Sequence, residues 1–544
     1  MKNTLYYGDN LNVLHQHVRE ESVDLVYLDP PFKSEQNYNV LFAEQNGSRS
    51  AAQVRAFEDT WRWDQAAAAA YHQVVEAGGR VSMVMQAFRQ ALGENDMLAY
   101  LAMMAPRLVE LHRVLKPTGS IYLHCDPTAS HYLRMLMDAA FGPANFRNEI
   151  VWLRTLSKGL MTKRLPANHD VILAYQKTED AKWNPDAVFV PYDRANLDPK
   201  TARKYRHRDP DGRLYRLDNL INPNPDRPNL TYEFLGVTKV WRWTKQRMQK
   251  AYEQGVVVQT RPGAVPQLKR YLDQQRGRPL GDVWMDIPPI NSQAAERLGY
   301  PTQKPERLLE RIIRAATGEG DLVLDPFCGC GTAIAVAHRL NRGWLGIDVT
   351  HLAMSLIKHR LHSAFGEKVR ESYEVVGEPV DVQGARALAD DDPYQFQWWA
   401  LGLVGARPVE QKRGADKGVD GRLFFHDDAE AQETKQIVLS VKSGKGQVGH
   451  VRDLRGVVER EKAAMGVLIS MQDPTGPMRA EAASAGFYQS PWGTKHPRLQ
   501  VLTVQELLAG KRIDMPPSRD LRTFKKAPKA KRRPRGGMSN LFLF

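Results

Sequence analysis

Asp29-Pro30-Pro31-Phe32 closes the apolar run VDLVYL, and its hydrogen-bonding groups are unusually one-sided. Two prolines remove two backbone N–H donors and keep the residues before them out of helix, so the polar groups left there are acceptors. Acceptors are what an NH₂ group needs. An aromatic amine is a poor nucleophile because its lone pair is delocalised. With one N–H held by the Asp29 carboxylate and the other by the Pro30 carbonyl, the nitrogen is turned towards pyramidal geometry and aimed at an electrophilic methyl. Phe32 offers a ring on which a base stacks. A strand that merely ends in a proline-rich turn would read the same way.

A second constellation lies in LVLDPFCGCGTA, where an apolar strand ends at Asp325 and Gly329 and Gly331 let the backbone pass close to a ligand before a helix starts. A GxG turn alone is often only structural, since the dinucleotide fingerprint needs a third glycine. Asp348, at the end of the next apolar strand GWLGID, adds a carboxylate placed to bind ribose hydroxyls. Cys328 and Cys330 have no further Cys or His at metal-ligand spacing, so they read as small side chains in a tight loop and not as zinc ligands.

The elements that must position these residues alternate strand and helix. TLYYGD, VDLVYLD and GSIYLHCD read as strands; AAAAAYHQVVEAGG and MLAYLAMMAPRLVELHRVLK have helical periodicity, the second stopping at Pro117 and Gly119. From about 153 to 300 the text turns to Arg, Asn, Pro and aromatics with little period, as expected of an inserted recognition region. Regular α/β text then returns and closes a first domain, 1–372. An acidic Gly/Pro-bearing link, 373–393, leads to a smaller α/β domain, 394–512, and a basic tail, 513–544, that composition marks as disordered. A length of 544 residues fits several domains, and a formal net charge of +14 favours a polyanionic partner. There is no apolar run long enough to span a bilayer and no secretory signal, and only three cysteines occur, so the expected location is the cytoplasm.

Together, the order of the two motifs resembles the amino-methylating DNA methyltransferases of the β class, in which a DPPY/F-type motif precedes DPFxGxGT with the target-recognition region between them. GDNLNVL from Gly8, RVLKPTGSIYLHCDP from Arg113, NEIVW, NHDVILAY and PTQKPERLLERII extend the likeness. The resemblance implies a Rossmann-like S-adenosyl-L-methionine-dependent sheet. Asp325, Phe327, Gly329, Gly331, Thr332 and Asp348 would line the cofactor pocket, with Asp9 near the adenine and Thr302, Lys304 and Pro305 at the methionine end. Asp29, Pro30, Pro31 and Phe32 would hold a base flipped out of double-stranded DNA. Family habit pairs DPP with adenine N6 and SPP with cytosine N4, so adenine is favoured and cytosine is the alternative. In the insert, Arg203, Lys204, Arg206, Arg208, Arg242, Lys245 and Arg247, interleaved with Tyr205, Trp241 and Trp243, suit phosphate contact and stacking, the alternative being a solvated basic face over an ordinary aromatic core.

The second domain carries Asp420 in GVDG before one strand and Lys442 within the next, IVLSVKSG. An Asp and a Lys so placed are the arrangement of Mg²⁺-dependent phosphodiesterases, and the segment resembles the Mrr-type restriction endonucleases. Asp420 is the expected Mg²⁺ ligand, with Glu410 as a second. Where that family has Glu or Gln two residues before the Lys, this chain has Ser440, which leaves a non-catalytic DNA-binding module as the alternative. The final Asn540-Leu541-Phe542-Leu543-Phe544 resembles the peptide by which bacterial DNA enzymes dock on the sliding clamp, the alternative being an apolar cluster that folds back onto a groove of its own chain. A homodimer is left open.

Overall fold

A computed structural model of the chain describes residues 2–31, 63–155, 165–194, 196–291, 294, 296–298, 300, 302–409, 418–427 and 434–517. Phe32, Glu410 and the C-terminal peptide 540–544 lie outside these residues. The chain falls into two compact units, Pro185–Gly281 and the remainder.

The larger unit is built on a nine-stranded sheet. In chain order its strands are β1 Asn3–Tyr7, β2 Val23–Leu28, β3 Leu115–Cys125, β4 Phe146–Leu153, β5 His169–Gln176, β6 Val283–Trp284, β7 Leu322–Asp325, β8 Gly343–Asp348 and β9 Tyr373–Val376. In space they run β6-β4-β5-β3-β2-β7-β8-β1-β9. Every pairing is parallel except the two made by β5. A parallel sheet is covered on both faces, and VDLVYL is accordingly buried at every position. Helices α1 Asn10–His17, α2 Gln65–Ala77, α3 Gly79–Leu92, α4 Asp96–Val114 and α5 Pro127–Phe141 pack on one face. On the other lie α6 Glu306–Ala316, α7 Thr332–Arg339 and α8 His351–Phe365. Leu308, Leu309, Ile312, Ile313 and Ala316 recur at helical spacing, which is why α6 has one buried stripe. The strand order reverses between β2 and β7, which are neighbours. Open α/β sheets bind ligands outside the carboxyl ends of their strands at such a switch point, and both chemical motifs leave the sheet there.

The stretch 373–393, expected to be a link, is regular structure: β9 pairs with β1, and Val382–Asp391 is a helix. Beyond it a five-stranded sheet, β10 Arg407–Pro408, β11 Gly421–Phe425, β12 Lys435–Lys442, β13 Met465–Ser470 and β14 Leu499–Thr503, keeps its chain order in space. It is packed by the helix Pro393–Leu403 on one face and Val448–Arg460 on the other. Ile513 is buried in this core and Asp514 lies 2.7 Å from His496 Nδ1, so packing continues past residue 512. Among the described residues, no helix is long and apolar enough to cross a membrane.

The smaller unit holds a four-stranded antiparallel sheet, a hairpin of Thr231–Phe234 with Val237–Val240, and the helix Lys245–Glu253. Its core is Leu220, Phe234, Trp241, Met248, Val257 and Leu268. Trp241 and Tyr205 are 0% and 3% exposed, so two of the three aromatics expected to stack on bases are structural instead. Arg203, Lys204, Arg206, Arg208, Arg242, Lys245 and Arg247 are all exposed, with Arg247 lying 4.4 Å over the half-buried Trp243 ring.

Candidate active site

Asp29 leaves the end of β2, and its Oδ2 accepts a 2.5 Å hydrogen bond from Lys304 Nζ. Two residues 275 positions apart thus meet because α6 begins beside the end of β2. Lys304 precedes Pro305, the N-cap of α6, and its ammonium also reaches towards the Thr302 carbonyl, 3.5 Å away. The Asp29 carboxylate therefore has a cation on it in the free chain.

Next to β2, the end of β7 carries Asp325, 3% exposed, whose Oδ1 accepts from the Phe327 amide at 3.1 Å. Burial lifts this carboxyl to about 8; the Phe327 bond and the Lys304 charge oppose the rise, and the charges of Asp29 and Asp348 add to it. Asp348, ending β8, accepts from the Gly329 amide at 2.9 Å and from the Thr350 amide and hydroxyl, both at 2.9 Å. It too is raised by burial, with the Thr350 and Gly329 bonds opposing.

The loop between these carboxylates is shaped by two glycines at positive φ. A Cβ on Gly329 (φ 51°) would sit 3.1 Å from the Tyr300 ring, and one on Gly331 (φ 71°) would sit 2.8 Å from Ile357. Both positions combine a left-handed backbone with no room for a side chain. Cys328 and Cys330 are buried, the Cys328 thiol donating to the Asp325 carbonyl, and no group of three metal-ligating side chains occurs among the described residues. Thr332 opens α7 and, with the Cys330 carbonyl, accepts from the buried Arg360, whose other nitrogen holds Glu306 at 2.8 Å. Asp9 caps α1 through the Leu11 and Asn12 amides and pairs with Arg107 at 2.5 Å, while Asn10 donates to the Pro326 carbonyl at 2.8 Å. Arg360, Arg107 and Tyr300 support the pocket and carry no local sequence signal. Only Glu306 and Asn10, inside quoted motifs, hinted at them.

These residues fit S-adenosylmethionine. Two carboxylates raised chiefly by burial suit a ligand bearing a sulfonium and an ammonium.

The expected Mg²⁺ centre does not fit. Asp420 is 6% exposed, and its Oδ2 is taken by the Ser440 hydroxyl at 3.0 Å and the Val441 amide at 2.6 Å. Ser440 therefore donates to the carboxylate that a metal would need, where an acidic residue would have stood beside it as a second ligand. Lys442 ends β12 two residues on, on the same face as Ser440.

A glycine cradle beside an acceptor-only turn places the chain among α/β enzymes that bring a nucleoside cofactor up to an amine. More particularly, residues 23–359 match the family model described as DNA methylase, of N6/N4 type, and the chain belongs to that family of S-adenosylmethionine-dependent methyltransferases of amino groups in DNA. The type II methyltransferase M.EcaI of Enterobacter cloacae is 26% identical over 370 residues, 66% of this chain and 69% of that protein. The Mod subunit of the type III restriction-modification enzyme StyLTI of Salmonella typhimurium is 24% identical over 353 residues, 62% of this chain and only 50% of its own length. M2.DpnII of Streptococcus pneumoniae is 44% identical over 88 residues, 16% of this chain and 32% of that protein. Among solved structures, the cytosine-N4-specific PvuII DNA methyltransferase aligns over 69% of this chain and 95% of its own at 15% identity with TM-score 0.34, too distant a likeness to bear on base choice. Residues 395–509 match a model described as NACHT-associated inactive Restriction Endonuclease 1. That match does not single out an Mrr-type domain, and Asp420 there is engaged by Ser440 and Val441.

Because Asp348 both fixes the Gly329 amide and ends β8 at the pocket, Asp348→Ala is expected to raise the cofactor dissociation constant by roughly tenfold or more, since a hydrogen bond to a charged group contributes about 1.5–3 kcal/mol. Isothermal titration calorimetry without DNA reads this directly. Wild-type affinity in the variant would remove Asp348 from the site.

Proposed function

We propose that the chain methylates the exocyclic amino group of a base flipped out of duplex DNA, with adenine N6 as the target. The supporting observation is the juxtaposition of Asp29 and Asp325 at the ends of adjacent strands β2 and β7, one an acceptor for the amine and the other part of the cofactor cradle. When bound, S-adenosylmethionine supplies the electrophilic methyl. The chain's own groups orient the nucleophile: the Asp29 carboxylate and Pro30 carbonyl accept the two N–H groups, and proline at 30 and 31 keeps donors out of that turn. The Asp of Asp-Pro-Pro, where Ser is associated with cytosine N4, favours adenine. The exposed cations of the smaller unit are suited to phosphate contact, which would make binding strongly salt-dependent.

Modification-sensitive sequencing of DNA from cells expressing the chain tests base and site together. N6-methyladenine at one recurring sequence is expected. N4-methylcytosine alone would overturn the base, and unmodified DNA from cells making folded protein would overturn the reaction.

For the C-terminal domain we propose a non-cleaving, DNA-binding role. Full-length protein with Mg²⁺ should leave supercoiled plasmid intact at any methylation state. In this reading Asp420 is structural. Asp420→Ala leaves the Val441 amide and Ser440 hydroxyl unpaired in a buried setting, a loss of about 1–3 kcal/mol, visible as a lower melting temperature with methyl transfer per folded molecule unchanged. A metal-dependent nick abolished by that substitution would reverse the assignment.

A further inference from the structure

Tyr27, His124 and Asp170 form a hydrogen-bonded chain under the end of β2. Tyr27 Oη lies 3.0 Å from His124 Nδ1, and His124 Nε2 lies 3.1 Å from Asp170 Oδ2. Their exposures are 2%, 0% and 1%. Alternation along the strands puts all three on the sheet face covered by α6, since their neighbours Leu28, Leu123, Cys125 and Val171 pack on the opposite face. Arg154 Nη1 stands 3.3 Å from Asp170 Oδ1.

The proton positions follow from the surroundings. Burial, and then the charges of Asp29, Asp325 and Asp170, push Tyr27 ionisation well up, so its hydroxyl keeps the proton and donates. Burial works against the Asp170 charge, but the His124 bond and the charges of His124, Lys304 and Arg154 outweigh it and hold the carboxyl below its ordinary range. The His124 ring is thereby held between the Tyr27 hydroxyl at Nδ1 and the Asp170 carboxylate, an acceptor, at Nε2. Replacing a buried, paired imidazole and carboxylate by apolar side chains of the same shape is often neutral or stabilising, and apolar side chains fill the opposite face of the same strands. Sheet stability alone therefore does not call for them.

What they hold is the strand end that carries the chemistry. Tyr27 and Asp29 are two residues apart, so fixing the Tyr27 ring to β3 and, through Asp170, to β5 fixes the place from which the Asp29 carboxylate departs. We propose that Tyr27, His124 and Asp170 are a positioning network for methyl transfer, locking the end of β2 so that the Asp29 carboxylate and Pro30 carbonyl meet the substrate amine in one geometry. None touches the reacting atoms. The inference rests on the amine-methylation reading given above.

The test is the single-turnover rate of methyl transfer by the full chain, which counts only folded, loaded molecules, alongside calorimetric cofactor affinity. Tyr27→Phe, which removes one oxygen, should lower the rate about tenfold, and His124→Ala about a hundredfold, the scale of an ångström-sized misplacement. Both should bind cofactor within about twofold of wild type. Asp170→Asn keeps an acceptor for Nε2–H and should recover most of the rate. Rates within about threefold of wild type for Tyr27→Phe and His124→Ala would overturn the network; should His124→Ala not fold, Tyr27→Phe decides. A wild-type chain that binds cofactor and transfers no methyl would instead overturn the parent reading, and the network with it.

Discussion

Replacing Asp29 by alanine should lower methyl transfer by roughly 10²–10³-fold, the range lost when one preorganised hydrogen-bonding partner is removed from a transition state, while cofactor affinity changes little. In the proposed function the carboxylate faces the amine, whereas the cofactor lies against Asp325, Gly329, Gly331 and Asp348, which hold their own loop together. One complication is specific to this chain. Lys304 donates to Asp29 in the free state, and alanine leaves that ammonium among the fields of Asp170 and Asp325. A modest shift of cofactor affinity, within about threefold, is therefore part of the expectation. Asp29→Asn retains one neutral acceptor and should fall between the alanine variant and wild type. Transfer of labelled methyl from S-adenosylmethionine to DNA, with affinity measured separately by calorimetry, reads both quantities. Full turnover by the alanine variant would remove Asp29 from the chemistry, and a collapse of cofactor binding would move it into the cradle.

Much of the fold was legible because its signals are local. VDLVYL and LVLD are apolar runs ended by Asp-Pro, and each became a buried parallel strand, β2 and β7. The helical period of the text after Pro305 became α6 with its single apolar stripe. What stayed hidden involves partners far apart in the chain. Nothing near Lys304 announces that its ammonium rests on Asp29, and His124 and Asp170 sit in quoted motifs without any sign that they bond to each other. Composition misled in the stretch 373–393, where Gly, Pro and Asp suggested a link; a four-residue edge strand is too short to show a period, yet β9 pairs with β1 through backbone groups that every residue has. Aromatics among cations likewise read the same whether they face solvent or a core, and Trp241 and Tyr205 are in the interior. In the C-terminal domain the order of Asp420 and Lys442 was visible, but whether a carboxylate is free for a metal depends on its donors, and Ser440 is one.

Affinity for S-adenosylmethionine should rise with pH through the neutral range, by up to about tenfold per unit below pH 8. Burial sets Asp325 at about 8 in the free chain, so at pH 7 the carboxyl carries its proton. A cation brought close to it favours the ionised form and lowers the pKa in the complex. Between that lowered value and 8 the free chain binds more protons than the complex, so binding expels a proton and raising the pH promotes binding. Above about 8 both states are ionised and the dependence flattens. Calorimetry in buffers of differing ionisation enthalpy should show close to one proton released at pH 7 and none from this group above pH 9. The ligand's own α-amino group, with an ordinary pKa near 7.7–8.0, loses charge in the same range and works in the opposite direction. Asp325→Asn separates the two, because it leaves only the ligand's titration: the variant should release no proton at pH 7, lose the rise towards pH 8, and bind more weakly than wild type at pH 8 by about tenfold, the worth of one charge-assisted contact. A wild-type chain that binds the cofactor at pH 7 without releasing a proton would show that Asp325 either is already ionised there or does not meet the ligand's positive charge.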